Sequence, residues 1–443
     1  MKKRLNNMSY KVIQAAAALL FLLTGNLQAQ ELLTLEQAIA QALENNYDIR
    51  ISRNDVRIED ANFSVGNAGM LPTLQAQVTD NNSISNSSQT RADGQVIELD
   101  DAKNNSLNYG VVLDWTIFDG FRMFARYDQL EQLKMLSEAE LKLNILNKVS
   151  DVTATYYELV SQQQQLKALD TAIVISNQRV TLAQNRFTIG KASKLEVLNA
   201  QVDLNTDTSN LLRQKETYAN TKALINELMA RPAATDFRVI DEILVDEALL
   251  LPDLANQALS QNPQLQALII SRRVAELQLK QVRAGRYPTI SVTTGYNLSD
   301  SQSSLGFTTQ SSSRGWNYGF TARMNLFNGF FQNRNERIAR IQIENTSLAI
   351  EQQNQALDTQ LTTAYQTYLT NLELTRLEEK NEQIARQNLD ITLDKFKIGT
   401  ITTLEVRTAQ LNYINAKTRY INARYQSKLS ETYLKELAGA LTF

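Results

Sequence analysis

FTIGKASKLEVLNAQ, residues 187–201, returns as FKIGTITTLEVRTAQ, residues 396–410. Phe187 pairs with Phe396, Gly190 with Gly399 and Glu196 with Glu405, always 209 residues apart. A heptad-like apolar run precedes each copy and a second helical run follows it. The pattern predicts the turn between two long antiparallel helices. Gly190 and Gly399 supply the left-handed residue that ends the incoming helix. Ser193 and Thr402 supply the N-caps of the outgoing one, with Glu196 and Glu405 three residues on to complete a capping box. A chain that builds this turn twice is a tandem duplication.

Outward from the turns, the helices are long. No Gly or Pro interrupts residues 121–189 or 330–398. At about 1.5 Å per residue, a helix of that size runs roughly 100 Å, far beyond the usual globular helix. Ile145, Val152, Leu159, Leu166, Ile173, Val180 and Phe187 recur at intervals of seven, a coiled-coil seam. The accompanying position decays from Val149 and Tyr156 to Gln163, Asp170, Asn177 and Gln184. So narrow a seam suits helices packed side by side in a tube with two wet faces. Repeat two has a less regular seam through Leu357, Leu361, Tyr368, Leu372, Leu389 and Phe396.

Further out the two repeats stay parallel. LTLEQAIAQALENNYDI, 33–49, opens repeat one, with Thr34 and Gln37 as another capping box, and LPDLANQALSQNPQL, 251–265, opens repeat two. Pro72 maps onto Pro288 at an offset of 216, whereas FDGF at 118–121 maps onto FNGF at 327–330 at 209. The length difference therefore falls between Pro72 and Phe118, in an exposed segment. Four stretches in this region alternate with period two. The strongest carry Tyr109, Val111, Leu113, Trp115 and Ile117 on one face, and Trp316, Tyr318, Phe320, Ala322, Met324 and Leu326 on another. Ile290, Val292, Thr294 and Tyr296 form a third face, and Leu74, Ala76 and Val78 a weaker fourth. They predict two β-hairpins, about 72–118 and about 288–327, with Ser/Asn/Gln-rich loops at about 83–106 and 299–315. Strands of some ten residues with aromatics near their ends suit a tilted crossing of a bilayer. The resulting division is a secretory signal over 1–29 and repeat one over 30–230, with its helical hairpin at about 120–230. A connector over 231–250 follows, then repeat two over 251–443, with its helical hairpin at about 329–438.

Composition sets the remaining bounds. Lys2, Lys3, Arg4 and Lys11 around the apolar core Val12–Leu23, with Ala29 at the cleavage point, read as a secretory leader. Its removal takes four positive and no negative charges, so the formal charge of −2 becomes −6, which argues against nucleic acid as a partner. The chain has no Cys, and so neither a disulfide framework nor an N-terminal lipidated Cys; it has no His, the commonest metal ligand and proton shuttle. No metal site, cofactor or catalytic constellation is expected: the carboxylates scatter along helix faces. Four strands cannot close a barrel, and open edges are not tolerated in lipid, so a membrane-embedded chain must oligomerise. Two copies supply eight strands and three supply twelve. A periplasmic coiled-coil scaffold accounts for the helices and the leader, but leaves the aromatic strands without a use.

The leader, the duplicated strand hairpins, the FDGF and FNGF junctions and the paired turns together resemble the TolC-type outer-membrane efflux family, over nearly all of the mature chain. The resemblance implies a mixed, mainly α fold: a homotrimer with a twelve-stranded β-barrel in outer-membrane lipid, continued by a twelve-helix α-barrel across the periplasm. It implies a passive exit duct with no enzymatic activity, serving a tripartite efflux pump or, alternatively, a type I protein secretion system. The connector would lie in an equatorial belt. Partners would be a periplasmic adaptor and an inner-membrane transporter. Adaptor docking would fall to Ile189, Gly190 and Lys191 in one tip and to Ile398, Gly399 and Thr400 in the other. A periplasmic gate near the second tip would draw on Glu405, Thr408 and Arg407; some relatives carry a second acid where Thr408 stands and a basic residue where Ile401 stands.

Overall fold

The computed structural model describes residues 31–304 and 308–441; the leader expected over 1–29 lies outside them. Repeat one holds β1 (Glu31–Leu33), α1 (Leu35–Asn45), α2 (Tyr47–Asn62), β2 (Thr73–Thr90), β3 (Val96–Phe118), α3 (Arg122–Thr188) and α4 (Lys194–Leu228). After β4 (Phe237–Val239) come α5 (Leu251–Gln261), α6 (Pro263–Ala284), β5 (Thr289–Ser303), β6 (Gln310–Arg323), α7 (Phe331–Lys397) and α8 (Thr403–Leu437). The chain forms two units. One takes the residues up to Arg50, Ile145–Ala258 and those from Gln360; the other takes Ile51–Asn144 and Leu259–Thr359.

In the first unit, the two helical hairpins pack beside a short parallel pairing of β1 with β4. Leu33, Ile39, Val152, Leu159, Ile225, Met229 and Phe237 make its core. The buried Tyr156 hydroxyl donates to Leu33 O at 3.0 Å and accepts from Ile240 N at 3.3 Å, which ties the entering chain and the connector to α3. At the start of α1, Thr34 and Gln37 make a reciprocal capping box.

The heptad seam of α3 does not stay buried along its length. Val152 and Leu159 are fully covered, but towards the turn the buried positions become Ala172, Ile175, Ser176, Arg179 and Ala183, while Phe187 is exposed. A 3.6-residue helix drifts steadily against a repeat of seven, so the packed face moves off the heptad positions. The repeat-two seam residues Leu357, Leu361, Tyr368, Leu372, Leu389 and Phe396 are all buried.

In the second unit, an antiparallel sheet runs in the order β2-β3-β5-β6. Its register aligns the alternating faces across all four strands. Leu74 stands opposite Leu113, Leu113 opposite Thr294 and Thr294 opposite Tyr318; the next row on the same face joins Ala76, Val111, Tyr296 and Trp316. The other face is mainly polar or bare, as in the row Gln75, Val112, Gly295 and Asn317, where Val112 alone is apolar. Gly295 is required there, because a Cβ would stand 2.7 Å from Val111 O. The segments expected as loops are largely strand. β2 continues to Thr90 and β3 starts at Val96, leaving a turn at 91–95 with Gly94 at φ +84°. Residues 299–303 and 310–315 also belong to strands. Apolar alternation marks a strand only where one face meets lipid or a core; in water, Ser, Asn and Gln extend the same ladder without it. Among the described residues no helix is long and apolar enough to cross a membrane.

Candidate functional site: the paired helical tips and the buried ionic cluster behind them

Each tip is a Schellman turn. Gly190 N donates to Phe187 O at 2.9 Å and Lys191 N to Arg186 O at 2.8 Å, with Gly190 at φ +73°. The second tip repeats it: Gly399 N to Phe396 O at 3.0 Å, Thr400 N to Lys395 O at 3.1 Å, and Gly399 at φ +80°. Ser193 then caps α4 by accepting from Glu196 N, and Thr402 caps α8 by accepting from Glu405 N. The expected reciprocal bond takes another form at Glu405, whose carboxylate accepts the Thr402 hydroxyl at 3.1 Å. The paired Ile189 and Ile398 are exposed, and so are Leu195 and Leu404, two residues past each cap. Both tips thus end in an apolar knob of the same composition. Leu195 and Leu404 went unremarked in the sequence, although their repetition in KLEV and TLEV marks them. The tips differ in charge: Lys191 and Lys194 belong to the first, with the Lys194 ammonium 5.5 Å from the centre of the Phe187 ring.

Behind the tips, α3, α4 and α8 share a buried ionic cluster. Arg407 Nη1 donates to Asp207 Oδ2 at 2.7 Å and its Nε lies 3.5 Å from Asp203 Oδ1. Arg179, only 3% exposed, donates to Asp203 at 3.0 Å and to Thr403 O at 3.3 Å. Gln410 Nε2 is shared among Ala172 O, Ser176 Oγ and Asp207 Oδ2 at 3.0, 2.9 and 3.2 Å, and Ser176 Oγ donates to Asp207 Oδ2. Two guanidinium groups and two carboxylates balance. Burial pulls Arg179 below its ordinary value, against the opposing pull of Asp203. Removing either charge of such a pair leaves its partner stranded in low dielectric.

The structure brings Arg407 into this cluster and leaves Glu405 and Thr408 exposed outside it; the Thr408 hydroxyl bonds Leu404 O of its own helix. Asp203, Asp207, Arg179, Ser176 and Gln410 were not singled out in the sequence. Their signal lies in a break of the duplication. At the same 209-residue offset, Asp207 maps to Ala416, Arg407 to Leu198 and Arg179 to Asn388. These charges have no internal counterpart and so serve one particular juxtaposition. Among the described residues no group of His, Cys, Asp and Glu is arranged to hold a metal ion.

Known proteins share this architecture. The model of the family described as outer membrane efflux protein matches residues 38–231 and 254–440. The outer membrane efflux protein BepC of Brucella suis is 21% identical over 98% of this chain and 91% of its own length. The probable outer membrane lipoprotein SilC of Salmonella typhimurium is 22% identical over 91% of this chain and 85% of its own. Among solved structures, the CmeC outer membrane channel of Campylobacter jejuni superposes with a TM-score of 0.77 at 16% identity, over 92% of this chain and 85% of that one. The match of the family model to both repeats, together with the fold they build, places the chain in the outer membrane efflux protein family, whose members are channels of the outer membrane.

Proposed function

We propose that the chain is the outer-membrane exit duct of a tripartite efflux pump, passively conducting small molecules supplied by an inner-membrane transporter through a periplasmic adaptor. The observation that carries this reading is the sheet of the second unit. Its apolar face is continuous in register across four strands, and β2 and β6 both remain as edges. Such a face fits lipid, and such edges must pair with other copies before lipid can surround them. Three copies give twelve strands, wide enough for an aqueous lumen, and twelve long helices to continue it. The polar face, with its Gly, Asn and Thr, then lines the passage. The connector, docked on both helical hairpins of the first unit, fits the equatorial belt.

The two tips suit docking of the adaptor, because a fixed turn with an exposed apolar knob gives a partner a rigid target. The buried cluster suits the closed state of the gate, since parting α8 from α4 breaks the bonds of Arg407 to Asp203 and Asp207. A periplasmic coiled-coil scaffold and an outer-membrane duct separate experimentally. The duct resists salt extraction of envelopes and needs detergent for release. In a strain dependent on this chain, Gly190→Pro with Gly399→Pro leaves the protein in the outer membrane and abolishes drug resistance. Release by salt alone overturns the channel reading, and unchanged resistance overturns tip docking.

A further inference from the structure

The duplication specifies two versions of one contact, and the described part of the chain makes the first of them with itself. In that version, the FDGF junction of repeat one lies against the end of α6 in repeat two. A Cβ on Gly120 would stand 2.4 Å from Ala284 O and 2.8 Å from Tyr287 Cβ. Alongside, Gln129 of α3 bonds Gln278 and Gln281 of α6 at 3.2 and 2.9 Å. Carried forward by 209 residues, FDGF becomes FNGF and Gln129 becomes Ile338. Carried back by 216, Tyr287 becomes Leu71, Ala284 becomes Ala68 and Gln281 becomes Val65.

This second version stands open. Nothing lies within 4 Å of a Cβ placed on Gly329, and Leu326, Phe327 and Phe330 are exposed around a cavity of about 320 Å³. Ile338 and Val65 are 47% and 44% exposed, whereas Gln129, the counterpart of Ile338, is buried. The open surfaces extend as stripes at helical spacing: Ile51, Ile58 and Val65 along α2 and the residues just beyond it, and Ile338, Ile341 and Leu348 on α7. At the repeat-equivalent contact, a polar Gln–Gln pair within the chain is replaced by an apolar Val–Ile pair. A glutamine in place of Ile338 would lose the bond to Gln281 where Val65 stands and keep a polar neighbour only in Asn62, the counterpart of Gln278, so each version fits itself best.

We propose that a second copy of this chain completes the open version: its Ala68–Leu71 segment covers Gly329 and the FNGF cavity, and its Val65 packs on Ile338. The inference rests on the oligomeric duct described above and names where its copies meet. The β3–β5 register, Leu113 opposite Thr294 and Trp115 opposite Val292, carries over to Ala322 opposite Val78 and Met324 opposite Ala76 of the second copy. Apolar residues meet apolar residues in both rows. Because the two surfaces differ, the contact is head-to-tail and closes only as a ring.

The chain lacks Cys, so engineered pairs report cleanly. Val65→Cys with Ile338→Cys, in the full chain in outer membranes, is treated with a short bis-thiosulfonate, because side chains in contact need not meet disulfide geometry. The expected result is covalent dimer and trimer on denaturing gels. Each single variant alone gives neither, and the two singles co-expressed give dimer only. Gln129→Cys with Gln281→Cys, the in-chain equivalent, cross-links without change of mass. If amine cross-linking traps trimers while the Val65/Ile338 pair stays monomeric, this contact is wrong and the duct stands. If amine cross-linking of the unaltered chain traps no oligomer, the oligomeric duct itself falls. Self-linking of Ile338→Cys alone overturns the head-to-tail arrangement.

Discussion

Arg407 lies 2.7 Å from Asp207 in a site that is nearly closed to water. Arg407→Met removes one charge and strands the other, a change that costs about 3–5 kcal/mol in buried pairs. Arg407→Met with Asp207→Leu removes both and restores most of that loss, although Ser176 and Gln410 then lose an acceptor. The single variant is therefore expected to lower the temperature at which the helical unit melts and to raise single-channel conductance, with the double variant intermediate in melting but still conductive. Unaltered conductance in the single variant would separate the cluster from the gate. The sequence concealed this site for a physical reason. A seam is read from apolar residues, and here the buried positions of α3 near the tip include Ser176 and Arg179, which pattern alone assigns to solvent. Turn residues were easier to read, because the left-handed conformation of Gly190 and Gly399 is a local requirement that few residues meet.

At the scale of elements, the connector shows how an irregular segment is held. Asp246 N donates to Glu431 Oε2 at 3.0 Å, the Tyr368 hydroxyl donates to Asp246 O, and Arg424 Nη2 donates to Ile243 O. The Asp246 carboxylate accepts from Ala248 N at 3.1 Å and lies 3.3 Å from the Lys435 ammonium, while Lys435 and Lys428 share Glu431. The Ala248 N–H, and then Lys435, hold the Asp246 carboxyl below its ordinary value of 3.8, against some burial. A depressed acid stabilises the fold fully above its ordinary value and loses that contribution as pH falls through the lowered one. Amide exchange at Ala248 tests this. Asp246→Ala should speed it at neutral pH, and the unaltered chain should approach the variant only below 3.8; a protection ratio independent of pH would count against the carboxylate as the clasp. No period of hydrophobicity announces such a segment: Phe237, Val239 and Ile243 anchor it in the core, and tyrosine hydroxyls and charges on α7 and α8 hold the rest. The outer reaches of β2 and β3 escaped reading similarly: Ser83 and Asn104 pair in register with no apolar face to advertise them.

For the molecule as a whole, the decisive property is which face of the sheet meets lipid. Alternation in the sequence defined two faces, and the register shows that all four strands agree on them. Adjacent residues on β6 therefore have opposite fates. Tyr318 sits in the middle apolar row with Thr294, Leu113 and Leu74, and Asn317 in the polar row with Gly295, Val112 and Gln75. An arginine on the lipid face near the bilayer midplane costs about 2–4 kcal/mol, and an arginine on the lumen face is solvated by the passage. In the proposed ring every copy would carry the substitution, so the cost would recur around the barrel. Tyr318→Arg is expected to deplete folded, heat-modifiable oligomer from the outer membrane, whereas Asn317→Arg assembles normally and shifts ion selectivity towards anions. Equal depletion by both would mean that the polar face is packed and does not line water. Equal tolerance would mean that neither face touches lipid, and the sheet would then have to be a half-covered layer of a periplasmic protein.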